Sequence, residues 1–199
     1  MWQEPHSDED RDLVARCQKG NQAAFEELVR KYQKTVLNLV YHYIGHRNEV
    51  EDVAQKIFTK IYFSLHKFDL RRPFFPWLYR IAINQCYDEL RHIRRRKVHT
   101  FSELSIEDTG SVENLIAQND VSHYSGEDLS EMRALLHRVL DQLPDKQRLA
   151  IVLRDMEGIP YTKMAEILQC SEQAARLKVF RARAQLKKLM EKALQKEAK

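Results

Sequence analysis

A stretch near the middle of the chain, residues 98–130, separates two segments that can each form a core. It holds seven acidic and no basic side chains and is rich in Ser, Asp, Glu and Asn. Because it also shows no sustained hydrophobic period, it cannot bury enough apolar surface to fold alone. Residues 1–97 hold 18 basic and 13 acidic side chains, and residues 131–199 hold 15 and 9. We therefore predict two small basic domains, over 1–97 and 131–199, joined by a flexible acidic linker.

Both basic segments have the sequence pattern of helices. The 199 residues include only five Gly and five Pro, and no alternating pattern persuasive for a strand occurs. In the first segment, apolar residues recur at helical spacing from Asn21, a candidate N-cap, to about His42, and Gly45 follows. A second helix is predicted over about 48–65 and a third from near Pro76. The predicted fold class is all-α, with two small helical domains.

Composition and cysteine usage argue against membrane and disulfide-rich classes. No apolar run approaches the ~18 residues of a membrane span. The acidic start, MWQEPHSDEDRD, lacks the apolar centre of a signal peptide. Cys17, Cys86 and Cys170 are far apart and never form a CxxC pair, so neither a disulfide framework nor a thiolate metal site is indicated. We expect a cytoplasmic protein without direct membrane insertion and without a cofactor.

Residues 73–97 combine aromatic side chains at their start with arginines at their end. On a helix of ~100° per residue the polar side chains gather on one face while apolar side chains gather on another. The polar face holds Arg80, Asn84, Asp88, Arg91 and Arg95. Cationic groups with aromatics nearby are typical of surfaces that hold a nucleic-acid backbone and stack unpaired bases. The segment therefore favours contact with opened DNA.

The last 40 residues have the pattern of a helix-turn-helix. A short helix over 161–168 is followed by a three-residue turn and a long helix that begins after Ser171, a plausible N-cap. The long helix has an apolar packing stripe and, on the other side, a cationic face. That face holds Arg176, Phe180, Arg183 and Lys187, with Lys178 and Arg181 beside them. Such a face fits the major groove of duplex DNA.

Two other classes of protein remain open from these patterns. A two-domain transcriptional regulator that acts without polymerase would account for the helix-turn-helix but not for the aromatic and basic segment. A helical metal enzyme would use His42 and His46 with nearby carboxylates, yet the chain has no HExxH motif. Glycine-rich phosphate loops and G-x-S-x-G are also absent, so no catalytic residues are predicted.

Three motifs in register resemble the sigma factors of bacterial RNA polymerase. VEDVAQKIFTKIY resembles the D-x-x-Q-x-x-F pattern of region 2.2, and FDLRRPFFPWLYRIAINQCYDELRHIRRR resembles regions 2.3 and 2.4. LPDKQRLAIVLRDMEGIPYTKMAEILQCSEQAARLKVFRARAQLKKL resembles region 4.2. The order and the gap agree with the family. Because the additional regions of primary sigma factors are missing, the chain is most similar to the extracytoplasmic-function group.

The resemblance implies three partners. Core polymerase would bind region 2.2 through the clamp of its largest subunit and region 4 through the flap of its second-largest subunit. Promoter DNA would bind both as duplex and as single strand, and an anti-sigma factor would cover the polymerase-binding faces. The implied polymerase-binding residues are Asp52, Gln55 and Phe58.

The resemblance also implies two sets of DNA-binding residues. The −10 set, around a pocket for a flipped base, is Phe68, Asp69, Leu70, Arg71, Arg72, Arg80, Asn84, Arg91, Arg94 and Arg95. The −35 set is Arg154, Ser171, Arg176, Leu177, Lys178, Phe180, Arg181 and Arg183. Trp77 and Tyr79 are expected to be structural supports.

The second helix of the helix-turn-helix departs from the family pattern. Residues 173–176 read Gln-Ala-Ala-Arg where G-T-V-[KR] is common, and Leu177 stands where Ser is frequent. Leu177 can offer only an apolar contact, for example to a thymine methyl group. Gln169 stands where Gly is frequent in the turn, and a left-handed backbone there would cost ~1 kcal/mol. The −35 preference of the family is therefore not carried over to this chain.

Overall fold

The computed structural model describes residues 7–44, 49–99 and 135–197. These residues form helices and turns, and no strand occurs among them, which confirms the all-α prediction. No helix within these ranges is both long and apolar enough to cross a membrane. The described residues fall into two separate units, one built from the first four helices and the other mainly from the last four.

Among its described residues, the first unit has four α-helices and one 3₁₀ turn. The helices are α1 (Ser7–Gln18), α2 (Gln22–Ile44), α3 (Val50–Ser64) and α4 (Phe74–His99), and the 3₁₀ turn is Leu65–Lys67. The side-chain oxygen of Asn21 accepts a hydrogen bond from the Ala24 N–H at 3.1 Å, so the predicted N-cap is confirmed. Helix α4 begins at Phe74, two residues before the expected Pro76. The expected stop at Gly45 lies outside the described residues.

Helices α2, α3 and α4 pack their apolar stripes against one another. Because apolar residues recur every three or four positions, each helix buries one face and leaves its polar face in solvent. The buried residues include Leu28, Val36, Leu39, Val53, Ile57, Ile61, Leu78, Ala82, Cys86 and Leu90. The Nζ of Lys56 lies 3.2 Å from the carboxylate of Glu89, which joins α3 to α4 on their more polar side.

Helix α1 was not predicted, because its sequence is polar and acidic. Asp8, Glu9 and Asp10 occupy its first turn, where carboxylates interact favourably with the helix dipole. Asp10 is nevertheless 2% exposed, and its carboxylate accepts a hydrogen bond from the Tyr32 hydroxyl at 2.5 Å. Lys31 Nζ lies 2.9 Å from the same carboxylate. This buried polar cluster fastens α1 to α2.

We expect Tyr32→Phe to lower the free energy of unfolding by about 1–3 kcal/mol, since Asp10 would stay buried without its hydroxyl donor. Burial, followed by the bond to Asp10, raises the pKa of Tyr32, so the hydroxyl remains a donor at neutral pH. Urea denaturation measures the change. Tyr62→Phe removes a hydroxyl from a residue that is 55% exposed and should stay within about 0.5 kcal/mol of wild type. Equal losses for the two variants would contradict a stabilising role for the buried bond.

The second unit contains the helix-turn-helix. Residues 135–141 form α5, Asp145–Ile151 form α6 with a π-helical continuation over Val152–Met156, and α7 (Tyr161–Leu168) and α8 (Glu172–Glu197) follow. The unit buries Leu135, Val139, Leu149, Leu153, Ile159, Met164, Ile167, Ala175, Val179 and Ala182. The sequence also predicts a helix over about 130–142, and the part of it before residue 135 lies outside the described residues.

The turn between α7 and α8 has a left-handed residue at Gln169. Gln169 has φ 51° and ψ 51°, and the N–H of Cys170 donates a hydrogen bond to the Ala165 carbonyl at 3.0 Å. The Ser171 hydroxyl accepts a hydrogen bond from the Ala174 N–H at 3.1 Å, which confirms the predicted N-cap of α8. This closed turn sets the direction in which α8 leaves α7.

The predicted acidic linker, residues 98–130, lies almost wholly outside the described residues. Helix α4 continues to His99, two residues beyond the predicted end of the first domain. The boundaries 1–97, 98–130 and 131–199 therefore stay predictions.

Candidate nucleic-acid and partner interfaces

Helix α3 presents the predicted partner surface to solvent. Asp52 and Gln55 are exposed and Phe58 is half-buried, while the buried stripe of Val53 and Ile57 faces the core. Steps of three residues shift position by only about 60° around a helix, so the three predicted residues follow one side of α3. Their assignment to polymerase stays a prediction.

Two exposed aromatic residues outside the predicted set extend this side of α3. Tyr62 is 55% exposed and Phe63 is 68% exposed. The ring of Tyr62 lies 4.9 Å from the ring of Phe25 on α2. The two residues also line a groove of ≈ 300 Å³ with Cys17, Gly20, Phe25 and His66. In the helical pattern of α3, Tyr62 and Phe63 lie beside the apolar stripe of Val53, Ile57 and Ile61 and not within it. This position is the sequence feature that could have identified them as exposed.

The loop before α4 holds the first part of the predicted −10 set. Phe68 is 7% exposed, and its ring packs 4.9 Å from Trp77 and 5.6 Å from Phe74. The ring of Phe68 therefore packs against α4 as a support for the loop and is not exposed to solvent. Trp77 and Tyr79 pack as expected for structural supports, with Tyr79 1% exposed.

Asp69 organises the exposed part of this loop. Its carboxylate accepts hydrogen bonds from Arg71 Nε at 2.9 Å and Nη2 at 2.9 Å, and from the Arg71 backbone N–H at 3.0 Å. These bonds lower the pKa of Asp69 to about 2, and the same pairing raises the pKa of Arg71. The backbone N–H of Arg72 donates to the Asp69 carbonyl at 2.9 Å. Asp69 thus shapes the turn, and Arg71 and Arg72 both remain mostly exposed on it.

A residue outside the predicted set fixes the start of the loop. Gln18, at the end of α1, donates hydrogen bonds from Nε2 to the carbonyls of Leu65 at 2.9 Å and Phe68 at 2.8 Å. The two bonds join residues 47 and 50 positions apart in the sequence. No local sequence pattern marks it, because a lone glutamine at a helix end is most often solvated.

Helix α4 carries the remaining −10 residues along one face. Asn84 and the side chains of Arg91 and Arg95 are exposed, and Arg80 is half-buried. Asp88 interrupts the cationic face, since its carboxylate lies 3.6 Å from Arg91 and 3.8 Å from Lys60 of α3. Arg94 lies on the same helix, but its side chain is outside the described part of the structure.

In the second unit, α8 turns its cationic and apolar face to solvent. Phe180 is 70% exposed and Leu177 is 46% exposed, whereas Ala175, Val179 and Ala182 are fully buried against the rest of the unit. Lys178 and Arg181 are exposed beside them. Leu177 and Phe180 together form an exposed apolar patch beside cations, so this face is suited to a partner with both apolar and anionic groups.

Three arginines of the −35 set have acidic, aromatic or carbonyl partners within the unit. Arg176 donates from Nε at 3.1 Å and Nη2 at 2.6 Å to the Glu172 carboxylate. Its guanidinium carbon lies 4.5 Å from the centre of the Tyr161 ring, and that of Arg154 lies 4.6 Å from the same ring. Arg183 forms a two-point ion pair with Asp155, which raises the pKa of Arg183. Tyr161, Glu172 and Asp155 are not among the residues predicted from the sequence.

Comparison with known proteins assigns both units. Residues 28–96 match Sigma-70 region 2, and residues 133–186 match Sigma-70, region 4. The chain is 35% identical to the RNA polymerase sigma-H factor of Pseudomonas aeruginosa, over 94% of this chain and 96% of that protein. It is 37% identical to the ECF RNA polymerase sigma-E factor of Escherichia coli, over 87% of this chain and 90% of that protein.

The chain belongs to the extracytoplasmic-function sigma factors of the sigma-70 family. A sigma factor binds core RNA polymerase, recognises promoter elements and promotes DNA opening, and it acts as a regulator of the polymerase. The sigma factor is also similar to a solved structure of CnrH. That chain has 27% sequence identity and a TM-score of 0.63, with 92% of this chain and 97% of that chain covered.

The family assignment replaces the two alternatives that the sequence patterns left open. A sigma factor acts with core polymerase, unlike a regulator that binds duplex DNA alone. The metal-enzyme alternative depends on His46, which lies outside the described residues. Within the described ranges, no three potential metal ligands cluster.

Proposed function

We propose that this sigma factor joins two weak DNA contacts into one promoter site when core polymerase holds both of its units. The side of α3 with Asp52, Gln55 and Phe58 would bind the polymerase clamp, and the second unit would bind the flap. Linking two weak sites raises their combined affinity by orders of magnitude without any new contact. The acidic residues 98–130 would disfavour collapse of the linker onto DNA.

Contact with the −35 duplex is assigned to α8. The main support for this assignment is that one side of α8 is exposed while the opposite side, with Ala175, Val179 and Ala182, is fully buried. The exposed side holds Arg176, Leu177, Phe180 and Arg181. A helix held by a helix-turn-helix with this side outward can enter a major groove. There Arg176 would contact a guanine edge and Leu177 or Phe180 a thymine methyl group. Lys178, Arg181 and Arg183 would lie near phosphates.

The −10 contact is assigned to the 68–72 loop and the face of α4 with Arg80, Asn84, Arg91, Arg94 and Arg95. The loop turn around Asp69 and the exposed amide of Asn84 support a pocket for an unstacked base. Base capture would offset an unstacking cost of a few kcal/mol. No covalent step is required of this chain, so we infer that it is not an enzyme. We also infer that it works in the cytoplasm, where it would bind the polymerase.

An anti-sigma factor is a further partner in this proposal. CnrH was solved in complex with the cytosolic domain of CnrY, and this complex supports a protein partner besides polymerase for this chain. The exposed side of α3, including Tyr62 and Phe63, is the surface that such a partner would cover in competition with polymerase.

Run-off transcription with bacterial core polymerase and a promoter library tests the function. Arg176→Ala should reduce initiation from −35-dependent promoters by about tenfold, because a bidentate base contact contributes ~1–3 kcal/mol of discrimination. Lys188→Ala removes an exposed cation three turns further along α8 and is the matched control. If wild-type chain and core polymerase together show no start-site selection, the proposed function is wrong. Equal losses of initiation for Arg176→Ala and Lys188→Ala would instead show that Arg176 does not contact a −35 base.

A further inference from the structure

The ring of Tyr161 is the common partner of two arginines from different helices. Tyr161 is the first residue of α7 and is half-buried. Arg154, from the segment that continues α6, and Arg176, from α8, each place a guanidinium over this ring at about 4.5 Å. We propose that Tyr161 is a positioning residue that holds Arg176 ready for the −35 duplex. The inference rests on the proposed function of α8.

Arg176 is held at two points. The flat face of an aromatic ring attracts a guanidinium and favours a limited set of its orientations. Glu172, one turn earlier on α8, accepts two hydrogen bonds from the same guanidinium at 3.1 and 2.6 Å. Arginine otherwise samples many rotamers, and ordering them on DNA binding reduces affinity. The ring and the carboxylate restrict those rotamers before DNA arrives.

The restrained guanidinium can still contact a base. The Arg176 side chain is 59% exposed, and the bonds to Glu172 use Nε and Nη2. Because a guanidinium has five N–H donors, the donors on Nη1 and the second donor on Nη2 can form the fork that a guanine edge requires. Glu172 also offsets the charge of Arg176. The pair is therefore better suited to a base edge than to a phosphate.

Arg154 keeps the ring of Tyr161 in place. Its Nη1 donates a hydrogen bond at 3.1 Å to the carbonyl of Ile159, two residues before Tyr161. Ile159 is fully buried, so this bond ties Arg154 to a rigid part of the unit. The buried Ile159 thus positions Arg154, Arg154 positions the ring of Tyr161, and this ring positions the exposed Arg176. A change at Tyr161 should therefore alter base selection by Arg176 without removing a contact to DNA.

The test uses the full chain assembled with core polymerase and a −35 duplex selected from a random library by the wild-type holoenzyme. Equilibrium binding is measured for this duplex and for duplexes with each single base-pair change. Tyr161→Leu should reduce discrimination at one base pair about tenfold, as expected when a bidentate arginine contact is lost. The slope of affinity against salt should stay unchanged, because no phosphate contact is removed. Tyr161→Phe retains the ring and should restore discrimination to within about twofold.

Two additional variants separate the possible failures. Glu172→Gln weakens the second point of attachment and should reduce the same discrimination by about twofold, which provides a test should Tyr161→Leu fold poorly. If Arg176→Ala loses discrimination while Tyr161→Leu and Glu172→Gln retain it, the positioning role is refuted and the proposed function stands. If Arg176→Ala retains discrimination, both the positioning role and the assignment of Arg176 to the −35 duplex are refuted. A loss with Tyr161→Phe equal to that with Tyr161→Leu would also overturn the role of the ring.

Discussion

Asp52→Arg is expected to weaken binding of the chain to core RNA polymerase by about 100-fold. Asp52 is exposed in the first turn of α3, and the change places a cation where the proposed interface has a carboxylate. Like charges brought together at an interface cost several kcal/mol, whereas a rim contact that is simply lost costs far less. The fold should persist, because the lost interaction with the helix dipole contributes only ~0.3–1 kcal/mol.

Asp8→Arg is the matched control for this prediction. Asp8 is exposed in the first turn of α1, so the two variants make the same charge change at the start of a helix in the same unit. Asp8 lies outside α3, whereas Glu51 precedes Gln55 by four residues and shares the side of α3 assigned to polymerase. Titration of labelled core polymerase measures both affinities. Equal weakening by the two variants would show that overall charge, and not contact by the Asp52 side of α3, controls the association.

Asn84→Ala is expected to reduce open-complex formation by about 10- to 100-fold at a promoter that the holoenzyme still binds. Asn84 is exposed on α4, two helical turns beyond Trp77, whose ring packs on Phe68 at the start of the 68–72 loop. An amide has both donors and acceptors, so it can match the edge of an unstacked base. Removing that capture leaves the unstacking cost of a few kcal/mol uncompensated.

Permanganate reactivity of unpaired thymines measures opening separately from promoter binding. Arg91→Ala provides the contrast, because a phosphate contact should weaken binding at every sequence and lower the salt slope by about 1. Asn84→Ala should leave both promoter affinity and the salt slope unchanged. An Asn84→Ala protein that opens DNA like wild type would remove this amide from the −10 pocket, and the family assignment would be unaffected.

The helices with strong apolar periods were predictable, and the polar one was not. The stripes of α2, α3 and α8 are visible in the sequence because burial of one face every three or four residues is a local pattern. Helix α1 buries mainly Leu13 and Val14, too few for a visible period. Its attachment depends on the buried bond between Asp10 and Tyr32, which no periodicity reveals.

The candidate site was predicted in part for a similar reason. The motifs located the polar faces of α3, α4 and α8, and the structure agrees that Asn84, Gln55 and Arg176 are exposed. The motifs also placed Phe68 at the −10 pocket, but they could not reveal that its ring packs on Phe74 and Trp77. Exposure of a loop residue depends on which neighbours close over it.

Helical class, family membership and the division into two basic segments follow from the order of residues, since each depends on local spacing or on motifs in register. The pairing of functional side chains depends on how the helices pack. Gln18 holds the 68–72 loop from about 50 residues away, Asp155 pairs with Arg183 across 28 positions, and Tyr161 meets arginines from both neighbouring helices. Contacts of a few ångströms between distant residues form only after the cores bring those helices together.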